Sequence, residues 1–133
     1  MLWFRKTQQP EIWEVADGQP VGDIEAAQQI REICAAAGSI AEKMAVLGGR
    51  KAAREKAVET ERYQAAVKRA LEIAKQISDA AMRDVSVSQI IRLCVKAGHL
   101  KTARILLRAV QSQRIQAELT HDNPALLDQA TAD

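Results

Sequence analysis

The stretch that decides the fold runs from Cys94 to Leu107 and reads CVKAGHLKTARILL. It sets an Ala-Gly step between two apolar runs and places a small residue, Ala103, five positions after Gly98. Glycine adopts the left-handed backbone conformation that ends many helices without a steric penalty. A small residue in the next helix lets the two backbones approach closely. The stretch therefore predicts the bend of a helical hairpin.

The composition around this stretch predicts an all-α protein. Of 133 residues, 47% are hydrophobic and 27% charged, which is a globular balance, and the length suits one domain. Aromatic residues make up only 3%, so the core must be built from Ala, Leu, Ile and Val. No proline occurs between residues 21 and 123, and strong helix formers dominate there. We expect five or six helices packed as antiparallel hairpins, as a bundle or a short repeat array.

The chain divides into three parts by composition. Residues 1–22 contain two of the three prolines, two glycines and both tryptophans, Trp3 and Trp13, and read as an irregular arm. Residues 23–119 form the helical domain, and residues 120–133 a short terminal helix or a flexible tail. The tryptophans of the arm have two possible partners, the core of the protein itself or another molecule.

Capping signals set the expected helix boundaries. Asp23 is a good first cap, Gly38 an expected stop, and Ser39 with Glu42 forms a capping box that opens a second, short helix. The remaining expectations are a stop at Gly48–Gly49, a long helix from Arg50 to about Ser78, a helix capped by Ser86 or Ser88, a last long helix from Gly98 to about Leu119, and a terminal turn opened by Asn123 and Pro124.

Two segments of the chain are similar to each other. Residues 29–47 and 89–107 share six identities in nineteen aligned positions, including both cysteines and both Ala-Gly steps. Such self-similarity indicates a repeated hairpin, although caps and apolar periods also recur by chance in helical proteins.

Residues 60–119 resemble the tetratricopeptide family of helical repeats. The positions that carry the resemblance are Gly98, Leu100, Ala103, Leu107 and Val110. The sequence departs from the family pattern at Ile91, where a small residue is usual, and it lacks the proline that normally closes a unit. The resemblance implies stacked hairpins that act as a scaffold for binding peptides or proteins, with no chemistry of their own.

Charge is distributed unevenly along the chain. Residues 50–114 carry 15 basic and 6 acidic side chains, whereas residues 115–133 carry 4 acidic and no basic ones. Either the acidic ends fold over the basic middle, or the middle binds an acidic partner. The candidate partner-binding residues are Lys101, Arg104, Arg108, Arg92 and Lys96 as a basic strip, with Trp3 and Trp13 as anchors.

These features favour a non-enzymatic protein-interaction module or adaptor. Self-association is expected as well, because the segment 86–97 is apolar on more than one side and so short a chain has few helices to cover it. The alternative is a nucleic-acid-binding module that uses the basic strip of residues 92–114, against which stands the lack of interleaved aromatic residues.

No motif for catalysis, cofactors or metals occurs. Cys34 and Cys94 do not form a CxxC pair, and neither His99 nor His121 lies at zinc-ligand spacing from them. We expect buried free thiols in a reducing cytosol. The sequence also lacks a secretory leader and an apolar span, so we expect a cytoplasmic protein without membrane contact.

Overall fold

The computed structural model describes residues 22–47 and 50–127, and most of this part of the chain is helical. It contains five α-helices and one 3-10 helix, with no strand among the described residues, so the all-α prediction is confirmed. The elements are α1 (Asp23–Val46), α2 (Arg50–Ala74), α3 (Ala80–Lys96), α4 (Leu100–Ala109), α5 (Gln113–Asp122) and the 3-10 helix Pro124–Leu127. The predicted irregular arm lies outside the described residues, apart from Gly22.

The hairpin bend at Gly98 is present and is closed by two backbone hydrogen bonds. The backbone N–H of His99 donates to the Cys94 carbonyl at 2.8 Å, and that of Gly98 donates to the Val95 carbonyl at 3.0 Å. Gly98 has φ +81°, the left-handed conformation that this Schellman motif requires. Ala103 is fully buried where α4 crosses α3. The prediction made from the opening stretch is confirmed.

The predicted bend at Gly38 is wrong, because α1 runs through this residue without a break. The Ser39 hydroxyl donates to the Ala35 carbonyl within the helix and caps nothing. The apolar stripe of α1 continues on both sides of Gly38, and its buried members include Ile33, Ile40 and Met44. Burying this continuous face outweighs the cost of about 1 kcal/mol for a glycine in a helix. Residues 29–47 and 89–107 therefore do not share one structure.

Three more boundaries differ from the sequence-based expectation. Asp23 does not cap α1, because Gly22 is the N-cap residue and Asp23 lies in the first turn of the helix. Helix α3 begins before Ser86 and Ser88, because the Asp79 side chain caps it by accepting from the Met82 N–H at 2.8 Å. The last long helix is broken after Val110, and Ser112 caps α5. The physical reason for this break lies in α3, outside the local sequence. The buried carboxylate of Asp84 accepts from the N–H groups of Gln111 at 3.2 Å and Ser112 at 2.9 Å.

Helices α1 and α3 run side by side in the same direction, and α2 lies antiparallel to both. At one end the Asp23 carboxylate accepts from the N–H groups of Ser78 at 3.0 Å and Asp79 at 2.9 Å, which ties the start of α1 to the start of α3. At the other end Lys96 pairs with Glu42 at 2.6 Å. Helix α4 then returns along α3, and α5 packs on α3 from another side.

Helix α3 is the centre of the domain, as its two-sided apolar pattern predicts. It contacts α1, α2, α4 and α5, and both Ile90 and Ile91 are fully buried. The chain's own helices thus cover the faces for which we expected a second copy. The apolar character of α3 consequently gives no reason to infer self-association.

Replacing each glycine of the two aligned segments with alanine distinguishes the roles of Gly38 and Gly98. Gly38→Ala should raise the free energy of unfolding by about 0.5–1 kcal/mol, because alanine favours the helix. The added Cβ would meet only the Lys96 Nζ, at 3.6 Å. Gly98→Ala should lower stability by about 1–2 kcal/mol, since alanine resists a positive φ. Urea denaturation measures both changes, and a loss of stability in both variants would contradict a continuous α1.

The Asp23 tie predicts a loss of stability in acid. Hydrogen bonds from the Ser78 and Asp79 backbones lower the pKa of the Asp23 carboxyl below its ordinary value of 3.8. A carboxyl with a lowered pKa stabilises the fold when ionised, so its contribution is lost as pH falls through the folded-state value. Asp23→Asn should therefore lower the urea midpoint at neutral pH, with the difference from wild type narrowing below the ordinary pKa.

The control for this experiment is Glu32→Gln, because Glu32 is an exposed carboxylate of the same helix. It should leave the urea midpoint close to that of wild type at every pH. A deficit of Asp23→Asn that stays constant from neutral to acid pH would show that ionisation of Asp23 does not support the α1–α3 tie.

Candidate functional site

A trough runs along the seam between the parallel helices α1 and α3. It consists of two adjoining grooves, of about 530 and 410 Å³, which share Arg31 and Gln89. We call it the α1–α3 trough. One half carries charge and includes Arg31, Glu42, Gln89, Arg92 and Lys96, and the other half is apolar and includes Ile24, Ala27, Met82 and Val85.

The trough exists because the facing stripes of the two helices are built from small or outward-pointing residues. On α1 the stripe includes Ala35, Gly38 and Ser39, which leave room between the helix axes. Residues spaced three and four apart share one face of a helix, so a continuous α1 is required to align this stripe. The Gln89 amide oxygen is buried there and has no hydrogen-bond partner among the described residues.

Three cations lie in the charged half, and two of them are paired across helices. Lys96 pairs with Glu42 of α1 at 2.6 Å, and Arg92 pairs with Asp122 of α5 at 3.1 Å. The side chains of these pairs are 45–66% exposed, so each pair contributes little stability and is readily exchanged. Arg31 is exposed and has no ion-pair partner among the described residues.

The apolar half exposes large hydrophobic side chains. Ile24 is 75% exposed and Val85 is 47% exposed, and the half-buried Met82 lies between the same two helices. Adjacent exposed apolar residues rimmed by charge are typical of binding surfaces. The trough thus offers a hydrophobic contact next to a cationic one.

The structure divides the predicted basic strip among several places. Arg92 and Lys96 lie in the trough, as described. The half-buried Arg104 points inward and donates to the Ala125 carbonyl at 2.8 Å, which fastens the 3-10 helix to α4. Lys101 and Arg108 are exposed on α4, outside the trough. Trp3 and Trp13 lie outside the described residues.

Sequence reasoning missed Arg31, Gln89 and the apolar half of the trough. Arg31 lies on α1, which was expected to end at Gly38. The sequence therefore did not predict that Arg31 would face α3. Ile24 and Val85 are single apolar residues in polar surroundings, a pattern that is common on any helical surface. The one available signal was the apolar period continuing past Gly38.

The two cysteines are free thiols. Cys94 is buried, whereas Cys34 is half-buried on the wall of the trough. His99, five positions after Cys94, packs edge-on against Tyr63 with ring centroids 4.9 Å apart. Burial raises the pKa of the Cys94 thiol, and burial raises that of Cys34 to about 12, with a smaller contribution from Cys94. Since the thiolate is the nucleophile, both groups are poor ones. In the described part of the chain, no three His, Cys, Asp or Glu side chains are placed to hold a metal ion.

Comparisons with models of protein families, with curated proteins and with solved structures find no match for this chain. Across residues 22–47 and 50–127, no helix combines the length and the hydropathy needed to cross a bilayer. A function for the chain is therefore inferred from the geometry of the α1–α3 trough.

The shielded thiols predict slow alkylation in the native state. A rise in the Cys34 pKa from 9.0 to about 12 lowers its thiolate fraction in mildly alkaline buffer. The reduction is about a thousandfold, and the reaction rate should fall with it. Labelling with iodoacetamide, followed by mass spectrometry, should modify neither cysteine until urea unfolds the protein. Rapid modification of Cys34 or Cys94 in the native protein would contradict this placement.

Proposed function

We propose that this chain is a non-enzymatic protein-interaction module that binds an extended segment of a partner protein in the α1–α3 trough. The observation that carries the proposal is the exposed Arg31, placed between two exchangeable ion pairs and an exposed apolar contact. Arg31 is the central cation of the trough and has no ion-pair partner among the described residues, so the trough is suited to an acidic ligand.

The order of helix packing supports this function. The pairs α1–α2 and α3–α4 are antiparallel hairpins, and the first helices of the two pairs lie next to each other, followed by α5. Stacking hairpins in this way places their first helices on one surface. The tetratricopeptide resemblance of residues 60–119 implies the same use, a scaffold that holds a peptide.

The trough also specifies the chemistry of its ligand. Ile24 and Arg31 are seven residues apart on α1, a rise of about 10 Å. An extended peptide covers that distance in about three residues. Because the side chains of an extended chain alternate in direction, the preferred ligand carries an acidic side chain two or four residues from a large apolar one, on the same side. Its carboxylate would lie against Arg31, with Arg92 and Lys96 available when their own partners are displaced.

A charge reversal at Arg31 tests the proposal. Fluorescence anisotropy with a library of ten-residue peptides, each with an acidic and an apolar residue two or four positions apart, should identify ligands for the wild-type protein. Arg31→Glu should weaken these ligands by at least about tenfold, the effect of about 1.4 kcal/mol. Lys101→Glu is the matched control, because it makes the same charge change at an exposed site on α4, and it should leave affinity unchanged.

Two results would contradict the proposal. One is an equal loss of affinity in both variants, which would indicate a general charge effect. The other is salt-sensitive binding of a mixed oligonucleotide that Lys101→Glu abolishes and Arg31→Glu does not. That pattern would favour the nucleic-acid alternative, which uses the basic strip of residues 92–114, to which Lys101 belongs.

A further inference from the structure

The chain enters the domain at the apolar end of the trough. Gly22 precedes α1 and has φ +95°, and its carbonyl accepts the first hydrogen bond of the helix from the Ala26 N–H at 3.1 Å. Ile24, on the rim of the trough, is two residues further on. Whatever immediately precedes Gly22 is therefore held close to this rim by covalent connection.

The sequence that precedes Gly22 has the composition that the trough selects. Residues 11–17 read EIWEVAD and contain three acidic and no basic side chains, interleaved with Ile12, Trp13 and Val15. The trough offers the complementary set, namely the cation Arg31 and an apolar rim. Trp13 lies two positions from Glu11 and four from Asp17, and Val15 lies four from Glu11 and two from Asp17, which is the spacing that the trough requires.

The linking chain is long enough for this contact. Gly22 lies eleven positions after Glu11, and an extended chain over that many steps spans up to about 36 Å. The distance to be covered along α1 is that from Ile24 to Arg31, about 10 Å. Residues 17–22 read DGQPVG, and Gly and Pro in such a run favour a reversal of chain direction.

We propose that residues 11–17 of this same chain occupy the α1–α3 trough, with Trp13 and Val15 on the apolar rim and the acidic side chains facing Arg31. The inference rests on the proposed function, because it assigns an internal competitor to the same site. A tethered segment acts at an effective concentration in the millimolar range. If the segment alone binds at about 100 μM, an external ligand binds about tenfold more weakly than to an open trough.

Tryptophan fluorescence tests the contact directly, because Trp3 and Trp13 are the two tryptophans of the chain and both precede Gly22. In the full-length Trp3→Phe variant, emission reports Trp13 alone. We expect a blue-shifted maximum and weak quenching by acrylamide. Both should be independent of protein concentration, since the contact is within one chain. A concentration-dependent shift would instead place the segment on a second copy and overturn the proposal.

A pair of exposed valines provides the decisive comparison in the Trp3→Phe background. Val85 is 47% exposed on the trough rim, and Val58 is 52% exposed on α2, away from it. Val85→Lys should raise the quenching constant of Trp13 at least threefold, whereas Val58→Lys should not change it. Two results would overturn the proposal. One is acrylamide quenching of Trp13 as strong as that of free tryptophan before any rim substitution, and the other is an unchanged quenching constant in Val85→Lys.

Peptide titration separates failure of this inference from failure of the proposed function. Full-length Trp13→Ala should bind the library peptides about tenfold more tightly than wild type, because its internal competitor is weakened. If the peptides bind wild type and Trp13→Ala equally, and Trp13 is exposed in the Trp3→Phe variant, the internal segment is rejected and the function is retained. A Trp13 that is shielded by the rim, in a protein that binds no library peptide in either form, would reject the function and retain the segment.

Discussion

The burial of the apolar side chains of α3 is the constraint on which the rest of the structure depends. Four helices pack against it, and its isoleucines have no contact with solvent. Apolar side chains of this kind must be enclosed, and α1, α2, α4 and α5 together enclose them. The parallel course of α1 and α3 follows from this enclosure. The trough lies where α1 and α3 pack side by side without filling the space between them.

Local signals in the sequence were reliable where local interactions decide the conformation. Gly98 is followed by a new apolar stripe with a different phase, so ending the helix there allows both stripes to be buried. Gly38 is also preceded by an alanine, but the apolar stripe of α1 before Gly38 continues in phase after it, to Met44. The fold class and the central position of α3 could be predicted, because both depend on apolar periods. The two glycines differ in what is buried beyond them, and no cap or turn rule contains that information.

The site was harder to predict than the fold. The sequence pointed to a basic strip, and two of its members, Arg92 and Lys96, do lie in the trough. Arg104 lies apart from these two, because its long side chain turns inward and donates to a carbonyl 21 positions away. Arg31 and Val85 belong to the trough only through the pairing of two helices separated by the whole of α2. Pairing of this kind is a tertiary property, and residue spacing within one segment does not report it.

The carboxylate of Asp84 determines where the chain leaves α4 and begins α5. By accepting two amides it holds residues 110–112 out of a helix that the local sequence favours, and it thereby separates α4 from α5. Without it, residues 100–122 could join into one rod, and Ile115 and Leu119 would be carried away from their own α3. A single buried acid in α3 thus decides whether the last two helices fold back on the core or extend past it.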